Sequence, residues 1–477
     1  MNESQPLADP LRHRTQAVGW WLTGGIFLLY CLYLPFSGYS EMVYDALNYW
    51  TLTERFFQAG RFHPLAYDDA LRGYLLPLLN LPAKAVAHFT GAAPLTLSRV
   101  MGAAYAAALF GWAGPALWLR LFPQHRLGWV PRLAFAGLGF LFWRDYFNFV
   151  LSDFPALLAL VLSLWLVLGR GSWGTAVLAG ACLTAASNIR PVYLLAAPAV
   201  VLLSLLRAAD RRRRLLNLLG LALGFALIAG PQLLLNLRHH QAPTPLVLSR
   251  DARLPTANLY LAQLGWGLVI QKYETSLDPA FPSPRMLYTD PAGQALLHRL
   301  AIRHFTSYGS YLATVLREPL AFAGLYARHL FNGLDVQYPS LFVQRVAVRS
   351  SWLAGLHYSV WFGALVVAVV GFRLGQLNTR VLLTVAALAL PCLAALPIAT
   401  ECRFLLPVQL LLYAVACFGG AQWRRDFTTV SWPRIALLAA GYLVFLGLCF
   451  RLSAHTQAHL TADVRVLAPL GGAEAQR

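Results

Sequence analysis

An acidic, aromatic stretch, "GYSEMVYDALNYW" (38–50), follows the first apolar run of the chain. Glu41, Asp45 and Tyr49 are four residues apart in sequence, a spacing that places all three on one face of a helix. A carboxylate at a half-dry site can have a raised pKa and take a proton from a hydroxyl, so Asp45 is a candidate general base. The alternative is an interfacial helix whose polar face is solvated and whose aromatic residues belong to a membrane belt.

A second acid, Asp153, occurs in "LSDFP" directly before a strongly apolar run, and Pro155 is suited to the first turn of a helix there. An ionisable residue at such a position indicates function by default in a membrane protein. The alternative is helix capping, in which Ser152 or Asp153 accepts hydrogen bonds from first-turn amides.

Four arginines lie in short polar turns between apolar runs, where each can donate a forked pair of hydrogen bonds to an anionic oxygen. They are Arg72, Arg144, Arg190 and Arg403. The alternative for each is snorkelling to lipid headgroups or pairing with a neighbouring acid, namely Asp69, Asp145 or Glu401. Four such residues together favour an anion site.

A metal or cofactor is not indicated with certainty. The pair Asp68–Asp69 leaves a divalent cation open, with a solvated loop as the alternative. The six cysteines lie in or beside apolar runs without metal-ligand spacing, so neither a zinc site nor a disulfide framework is predicted. A Walker motif is absent, and no GxGxxG, HExxH or GxSxG motif occurs in the structural context that its chemistry requires, so the energy for any reaction must come with the substrate.

Composition places these residues in a membrane protein. Of the 477 residues, 58% are hydrophobic and 12% are charged, and the mean hydropathy is +0.54. The net charge of +18 comes from arginines clustered in short loops, which is the positive-inside pattern and argues against nucleic acid as a partner.

Eleven apolar runs are long enough to be predicted as membrane spans. They are 18–36, 97–119, 131–149, 154–169, 173–189, 191–206, 216–236, 352–372, 380–397, 403–420 and 434–451. The segment 73–89 contains two prolines, Lys84 and His88, and is predicted to lie in the interface. Basic loops that include Arg170, Arg424 and Arg425 are then all cytoplasmic, and the unexplained polar residues collect on the external side.

The predicted organisation is an all-α polytopic membrane protein in four segments. Residues 1–236 form a transmembrane module with a first external loop at 37–96, residues 237–351 an external helical segment, residues 352–451 the C-terminal spans, and residues 452–477 an external tail. Apolar residues at helical spacing in the second half of 237–351 predict helices packed on the membrane face, as a cap over the external site.

The order of the motifs resembles the GT-C superfamily of integral-membrane glycosyltransferases, which includes protein O-mannosyltransferases and bacterial lipid A aminoarabinose transferases. The motifs are "YDALNYWTLTERFFQAGRF", "RGYLLPLLNLPAKAVAHFTG", "LSRVMGAAYAAALF", "LSDFP" and "ECRFLLPVQLLL". The resemblance covers residues 18–200 best, with a looser match at 400–420. The first family motif often reads Asp-Glu, whereas Ala46 follows Asp45 here.

The resemblance implies a GT-C-like helical bundle that transfers a sugar from a polyprenyl-phosphate donor to an acceptor hydroxyl with inversion. Asp45 is then the general base and Asp153 the second acid, and Arg72 and Arg403 face the donor phosphate. Three further residues are expected to bind substrate: Tyr49, Arg190 and Glu401.

The implied partners are the lipid bilayer, the donor, and an acceptor that is a lipid, a glycan or a protein. The expected location is the bacterial inner membrane, with the site on its periplasmic face. The alternative function is a lipid-linked-sugar flippase or secondary transporter. Such a protein is expected to place charges near mid-bilayer and to contain two similar halves.

Overall fold

A computed structural model describes residues 10–169, 171–208, 210–254, 258–373, 377–423 and 431–470. The helices in chain order are α1 (Pro10–Tyr33), α2 (Tyr44–Thr51), α3 (Leu75–Thr90), α4 (Pro94–Ala106), α5 (Gly114–Leu121), α6 (Trp129–Trp143), α7 (Asp153–Val167), α8 (Trp173–Ile189), α9 (Ala197–Arg207), α10 (Arg211–His240), α11 (Leu259–Val269), α12 (Pro291–Arg299), α13 (Tyr308–Arg317), α14 (Pro319–Leu334), α15 (Ser351–Arg373), α16 (Thr379–Ala395), α17 (Leu406–Ala414), α18 (Gly420–Trp423) and α19 (Trp432–Gln457). The strands are β1 (Phe57–Gln58), β2 (Arg61–Phe62), β3 (Ile270–Ser276), β4 (Arg285–Thr289), β5 (Phe342–Val343) and β6 (Leu460–Thr461). The loop residues Arg170, Arg424 and Arg425 lie outside the described residues.

Each of the eleven predicted spans contains a helix, and six helices in the described part of the chain are long and apolar enough to cross a membrane. They are Gly19–Phe36, Pro94–Leu121, Arg211–His240, Ser351–Gly371, Cys402–Gly419 and Trp432–Gln457. The other five predicted spans correspond to α6, α7, α8, α9 and α16, which are 11 to 17 residues long. The protein is therefore a mostly helical chain with several membrane-length helices, and the count of eleven crossings stays a prediction.

The segment 73–89 forms the 16-residue helix α3 and is not among the membrane-length helices of the described residues. Lys84 on this helix pairs with Glu54, at 2.6 Å, in the loop that follows α2. Helices α8 and α10 pack so closely that a methyl group at Gly224 on α10 would overlap the backbone carbonyl of Val177 on α8. The absence of a side chain at Gly224 permits this approach.

The second half of segment 237–351 contains helices α12 to α14, as predicted, and its first half adds α11. The segment also contributes to a sheet that the all-α prediction missed. The strand order is β5-β3-β4-β6. Strand β3 pairs antiparallel with β4 and parallel with β5, and β6 from the C-terminal tail pairs antiparallel with β4. Strands β5 and β6 are two residues long and distant in sequence from β3, so only tertiary pairing reveals them.

The helical bundle has two chemically different ends, which helix α7 connects. Asp153 begins α7, and its carboxylate contacts Arg190 and Arg403, so we call this the site end. Just beyond the other end of α7, the carbonyl of Gly169 accepts a hydrogen bond from Arg207, and we call this the basic end. The 15 residues of α7 separate the two ends by roughly 22 Å, at 1.5 Å per residue.

Candidate functional site

A cavity of about 810 Å³ opens at the site end of the bundle. Its walls come from α2, the loop that precedes α3, the turn between α8 and α9, strands β3 and β4, and the short 3₁₀ turn Cys402–Leu405 before α17. Six of the seven residues expected to catalyse a reaction or bind a substrate line it. They are Asp45, Tyr49, Arg72, Arg190, Glu401 and Arg403.

Asp45 lies in the first turn of α2, with its side chain 34% exposed and directed toward two arginines. One carboxylate oxygen is 3.7 Å from Nη2 of Arg72, and the other is 3.4 Å from Nη2 of Arg403. Burial raises the pKa of the Asp45 carboxyl, but Arg72 and Arg403 outweigh burial and hold that pKa below its ordinary value. The expectation of a raised pKa is therefore wrong, because two cations stabilise the ionised form.

The predicted partnership of Asp45 with Glu41 is also wrong. Helix α2 begins at Tyr44, so Glu41 precedes the helix, and its side chain is exposed. Tyr49 does share the cavity face with Asp45, and the guanidinium of Arg72 lies over its ring, 5.2 Å from the centroid. Of the original three-residue face, Asp45 and Tyr49 form part of the site.

Arg72 is positioned by its own loop. The carboxylate of Asp69 accepts hydrogen bonds from the backbone amides of Leu71 and Arg72, at 2.9 and 2.6 Å. The next residue, Gly73, contacts the turn that carries Arg190, and a methyl group at Gly73 would overlap the backbone carbonyl of Asn188. The absence of a side chain at this position therefore lets the loop approach α8 closely.

Arg403 is held by the acid two residues before it in sequence. Glu401 accepts hydrogen bonds from Nε and Nη2 of Arg403, at 2.7 and 3.0 Å. These distances are those of a forked, charge-assisted pair, whereas the 3.4 Å contacts of Arg403 with Asp45 and Asp153 are longer. Glu401 therefore fixes the orientation of the guanidinium, and the two aspartates hold it more loosely.

Asp153 lies beneath the cavity and is 1% exposed. It forms ion pairs with Arg190 and Arg403, and Phe404 packs against both guanidinium groups, with Cζ atoms 4.7 and 5.7 Å from its ring centroid. The N-cap residue of α7 is Ser152, whose side chain makes no capping hydrogen bond. The contacts of Asp153 thus favour a positioning role over both capping and direct contact with a substrate.

Two predicted candidates lie elsewhere. Arg144 donates to the hydroxyl of Tyr33, which in turn donates to Asp145, and Arg144 does not line the cavity. Asp68 pairs with Arg55 at 2.8 Å. No cluster of three or more His, Cys, Asp or Glu side chains that could hold a metal ion occurs among the described residues.

Sequence reasoning missed Arg285 and Tyr273, which line the cavity from strands β4 and β3. Their position depends on the pairing of these strands, which no motif in the sequence relates to α2. A chain of buried amide side chains that supports the cavity wall was also not predicted from the sequence. Asn188 donates to Gln232 at 2.9 Å, and Gln232 donates to Asn236 at 3.0 Å.

The charge of the cavity favours an anion. Among the described residues its lining contains four arginines and two carboxylates, which gives a formal net charge of +2. The same lining also contains apolar side chains, including Leu71, Val192 and Leu195. The arrangement suits a ligand with an anionic group and an apolar portion.

Comparisons with protein-family models, with curated proteins and with solved structures find no match for this chain.

Proposed function

We propose that this protein is an inverting membrane glycosyltransferase, which transfers a sugar from a polyprenyl-phosphate donor to an acceptor hydroxyl. The observation that carries the proposal is that Arg72 and Arg403 both contact Asp45, and that Arg190 lines the same open cavity. A phosphate diester or monoester is the anion that forked arginine contacts recognise well, and the apolar part of the lining suits an attached isoprenoid chain.

In this mechanism Asp45 accepts the proton of the attacking hydroxyl while the sugar–phosphate bond breaks. The lowered pKa of Asp45 keeps it ionised at neutral pH, so it is ready to accept a proton. Arg72 and Arg403 contact Asp45 at 3.7 and 3.4 Å, longer than the 2.7–2.9 Å typical of a tight charged pair. A bound phosphate that attracts both guanidiniums weakens their hold on Asp45 and makes it a stronger base.

The leaving phosphate carries its own negative charge and needs no acid catalyst. Arg72 and Arg403 stabilise that charge as it develops, which is the electrostatic contribution that such a site can make. Glu401 and Asp153 act as positioning residues, since their carboxylates hold Arg403 and Arg190. Tyr49 supports Arg72 from below through its ring.

The proposed topology has eleven crossings, with the site end at the periplasmic face of a bacterial inner membrane and the basic end in the cytoplasm. The positive-inside distribution of arginine supports this orientation. The acceptor is a lipid, a glycan or a protein that reaches the cavity from the periplasm. A flippase or transporter is less well supported, because the ionised groups of this site collect at one end of the helices rather than at their middle.

The proposal is tested by comparing a deletion strain that is complemented with the wild type, Asp45→Asn or Glu41→Gln. Glu41 is the matched control, because it is an exposed acid four residues before Asp45 and does not line the cavity. Mass spectrometry of envelope lipids, glycans and proteins is expected to show one sugar modification that the wild type and Glu41→Gln restore and Asp45→Asn does not.

Binding of polyprenyl phosphate to the purified proteins completes the test. The Asp45→Asn variant is expected to bind polyprenyl phosphate as the wild type does, since the substitution leaves the arginines in place. A sugar modification restored fully by Asp45→Asn rules out Asp45 as the base. If all envelope sugars are unchanged in the deletion strain and only the sidedness of a lipid-linked sugar differs, the flippase function replaces the transferase.

A further inference from the structure

A second cavity, of about 550 Å³, opens at the basic end of the bundle. It lies between α1, the π-helical turn Ala107–Ala113 that joins α4 to α5, and helices α5, α6 and α7. Its lining includes two arginines, Arg120 and Arg132, and three tryptophans. This cavity is separate from the site described above, because α7 places the two at opposite ends of the bundle.

Arg132 is the most informative residue in this cavity. It is only 5% exposed, its Nε has no hydrogen-bond partner, and no carboxylate in the described part of the chain forms an ion pair with it. Gly19 on α1 leaves room beside it, since a Cβ there would be 3.1 Å from Nη1 of Arg132. Burial of an unpaired guanidinium costs several kcal/mol, and an anion bound in this cavity would offset that cost.

Arg120 supplies a second cation on an aromatic wall. Its Cζ lies 5.0 Å from the ring centroid of Trp165, and Trp165 packs edge-on against Trp112 with centroids 5.4 Å apart. Trp20 lines the same cavity and is 67% exposed. An exposed tryptophan beside a buried and a half-buried arginine, at the end of membrane-length helices, is typical of a protein surface at the depth of lipid headgroups.

We propose that this cavity binds the phosphate of an anionic phospholipid from the leaflet at the basic end. Arg132 and Arg120 share the phosphate, and the acyl chains extend past Trp20 along the outer surface of α1. A lipid fits better than a free phosphate ion, because the remaining lining is aromatic and apolar, including Pro115 and Leu119, and offers little to a fully hydrated anion.

The test uses the full-length protein in phosphatidylcholine nanodiscs with and without phosphatidylglycerol, and native mass spectrometry counts the phosphatidylglycerol that each protein retains. The variants are Arg132→Gln and Arg120→Gln. Arg214→Gln is the matched control, since Arg214 is an exposed arginine in the first turn of α10 and does not line the cavity. Wild type and the control are expected to retain one tightly held phosphatidylglycerol. Loss of one charged contact, worth about 1.5–3 kcal/mol, is expected to weaken retention by roughly 10-fold to 150-fold in either cavity variant.

The outcomes separate lipid from soluble anion. Retention of phosphatidylglycerol by Arg132→Gln at the wild-type level overturns the proposal, and if this variant does not fold, the result for Arg120→Gln decides in the same way. A second measurement compares the thermal midpoint of the wild type in lipid-free detergent with inorganic phosphate and with phosphatidylglycerol. If inorganic phosphate raises the thermal midpoint of the wild type as much as phosphatidylglycerol does, the occupant is a soluble anion and the lipid assignment is wrong.

Discussion

Replacement of Asp153 by asparagine is expected to destabilise the fold, whereas the same replacement at Asp45 is expected to abolish activity with little loss of stability. Both acids contact Arg403 at 3.4 Å, but their surroundings differ. Asp153 is 1% exposed and also pairs with Arg190, while the side chain of Asp45 is 34% exposed. Burial therefore decides how much each charge contributes to stability.

The magnitude follows from distance and exposure. Two unit charges 3.4 Å apart attract by about 5 kcal/mol at an effective dielectric constant of 20. Removal of one partner from a buried pair costs about 3–5 kcal/mol, so Asp153→Asn should lose that much. Solvent screens the half-exposed contacts of Asp45, and pairs of that kind contribute roughly 0.2–1 kcal/mol.

The assay is the thermal midpoint of the purified proteins in one detergent, measured beside sugar transfer. Asp153→Asn is expected to lower the midpoint by about 5 °C or more, and Asp45→Asn by no more than about 2 °C. Glu41→Gln is the control for loss of an acidic charge, because Glu41 is exposed and unpaired with the cavity arginines. Transfer is expected to be lost in both aspartate variants and kept in the control.

Either of two results would refute this ranking of the two acids. If Asp153→Asn keeps the wild-type midpoint and still loses transfer, then Asp153 contributes to the chemistry rather than to the position of the arginines. A midpoint that falls equally in Asp45→Asn would show that the half-exposed pair is as strong as the buried one, and the use of exposure to rank the two acids would be wrong.

Three further predictions follow from the same cavity. Arg72→Ala and Arg403→Ala should each weaken polyprenyl phosphate binding by roughly 10-fold to 150-fold, the equivalent of about 1.5–3 kcal/mol. Unchanged binding in both variants would show that these arginines do not contact the phosphate. The pKa of Asp45 is lowered in the folded chain, so the stability that its ionised form contributes is fully present above pH ~4 and is lost as the pH falls through the lowered pKa. Removal of a cation in Arg72→Ala should raise the pKa of Asp45 and move the acidic limb of the kcat/KM profile to higher pH. An acidic limb at the same pH in both proteins would contradict the pairing of Arg72 with Asp45. Gly73→Ala should abolish transfer, because the added methyl group would overlap the backbone carbonyl of Asn188, while the protein stays in the membrane. Full transfer activity in this variant would disprove the prediction.

Much of the helical architecture can be predicted from the sequence, because the length and hydropathy of an apolar run are local properties that do not depend on its neighbours in the fold. Helices occur at all eleven predicted spans, and α3 occurs where an interfacial helix was predicted. The sheet was not readable, since β5 and β6 are two residues long and acquire their hydrogen bonds from strands far away in sequence. The start of α2 at Tyr44, which excludes Glu41 from the shared face, depends on a backbone turn that spacing does not reveal.

The sequence by itself determined which residues carry charge and where each lies relative to the apolar runs, and this was enough to select Asp45, Arg72, Arg190 and Arg403. Only the tertiary structure decided what those charges do, because the pKa and solvent exposure of a carboxylate depend on neighbours that are distant in sequence. It placed Asp153 beneath two arginines rather than in the cavity, and it gave Asp45 a lowered pKa where the sequence favoured a raised one. Spacing fixes the face of a helix, but the packing of other elements against that face fixes its chemistry.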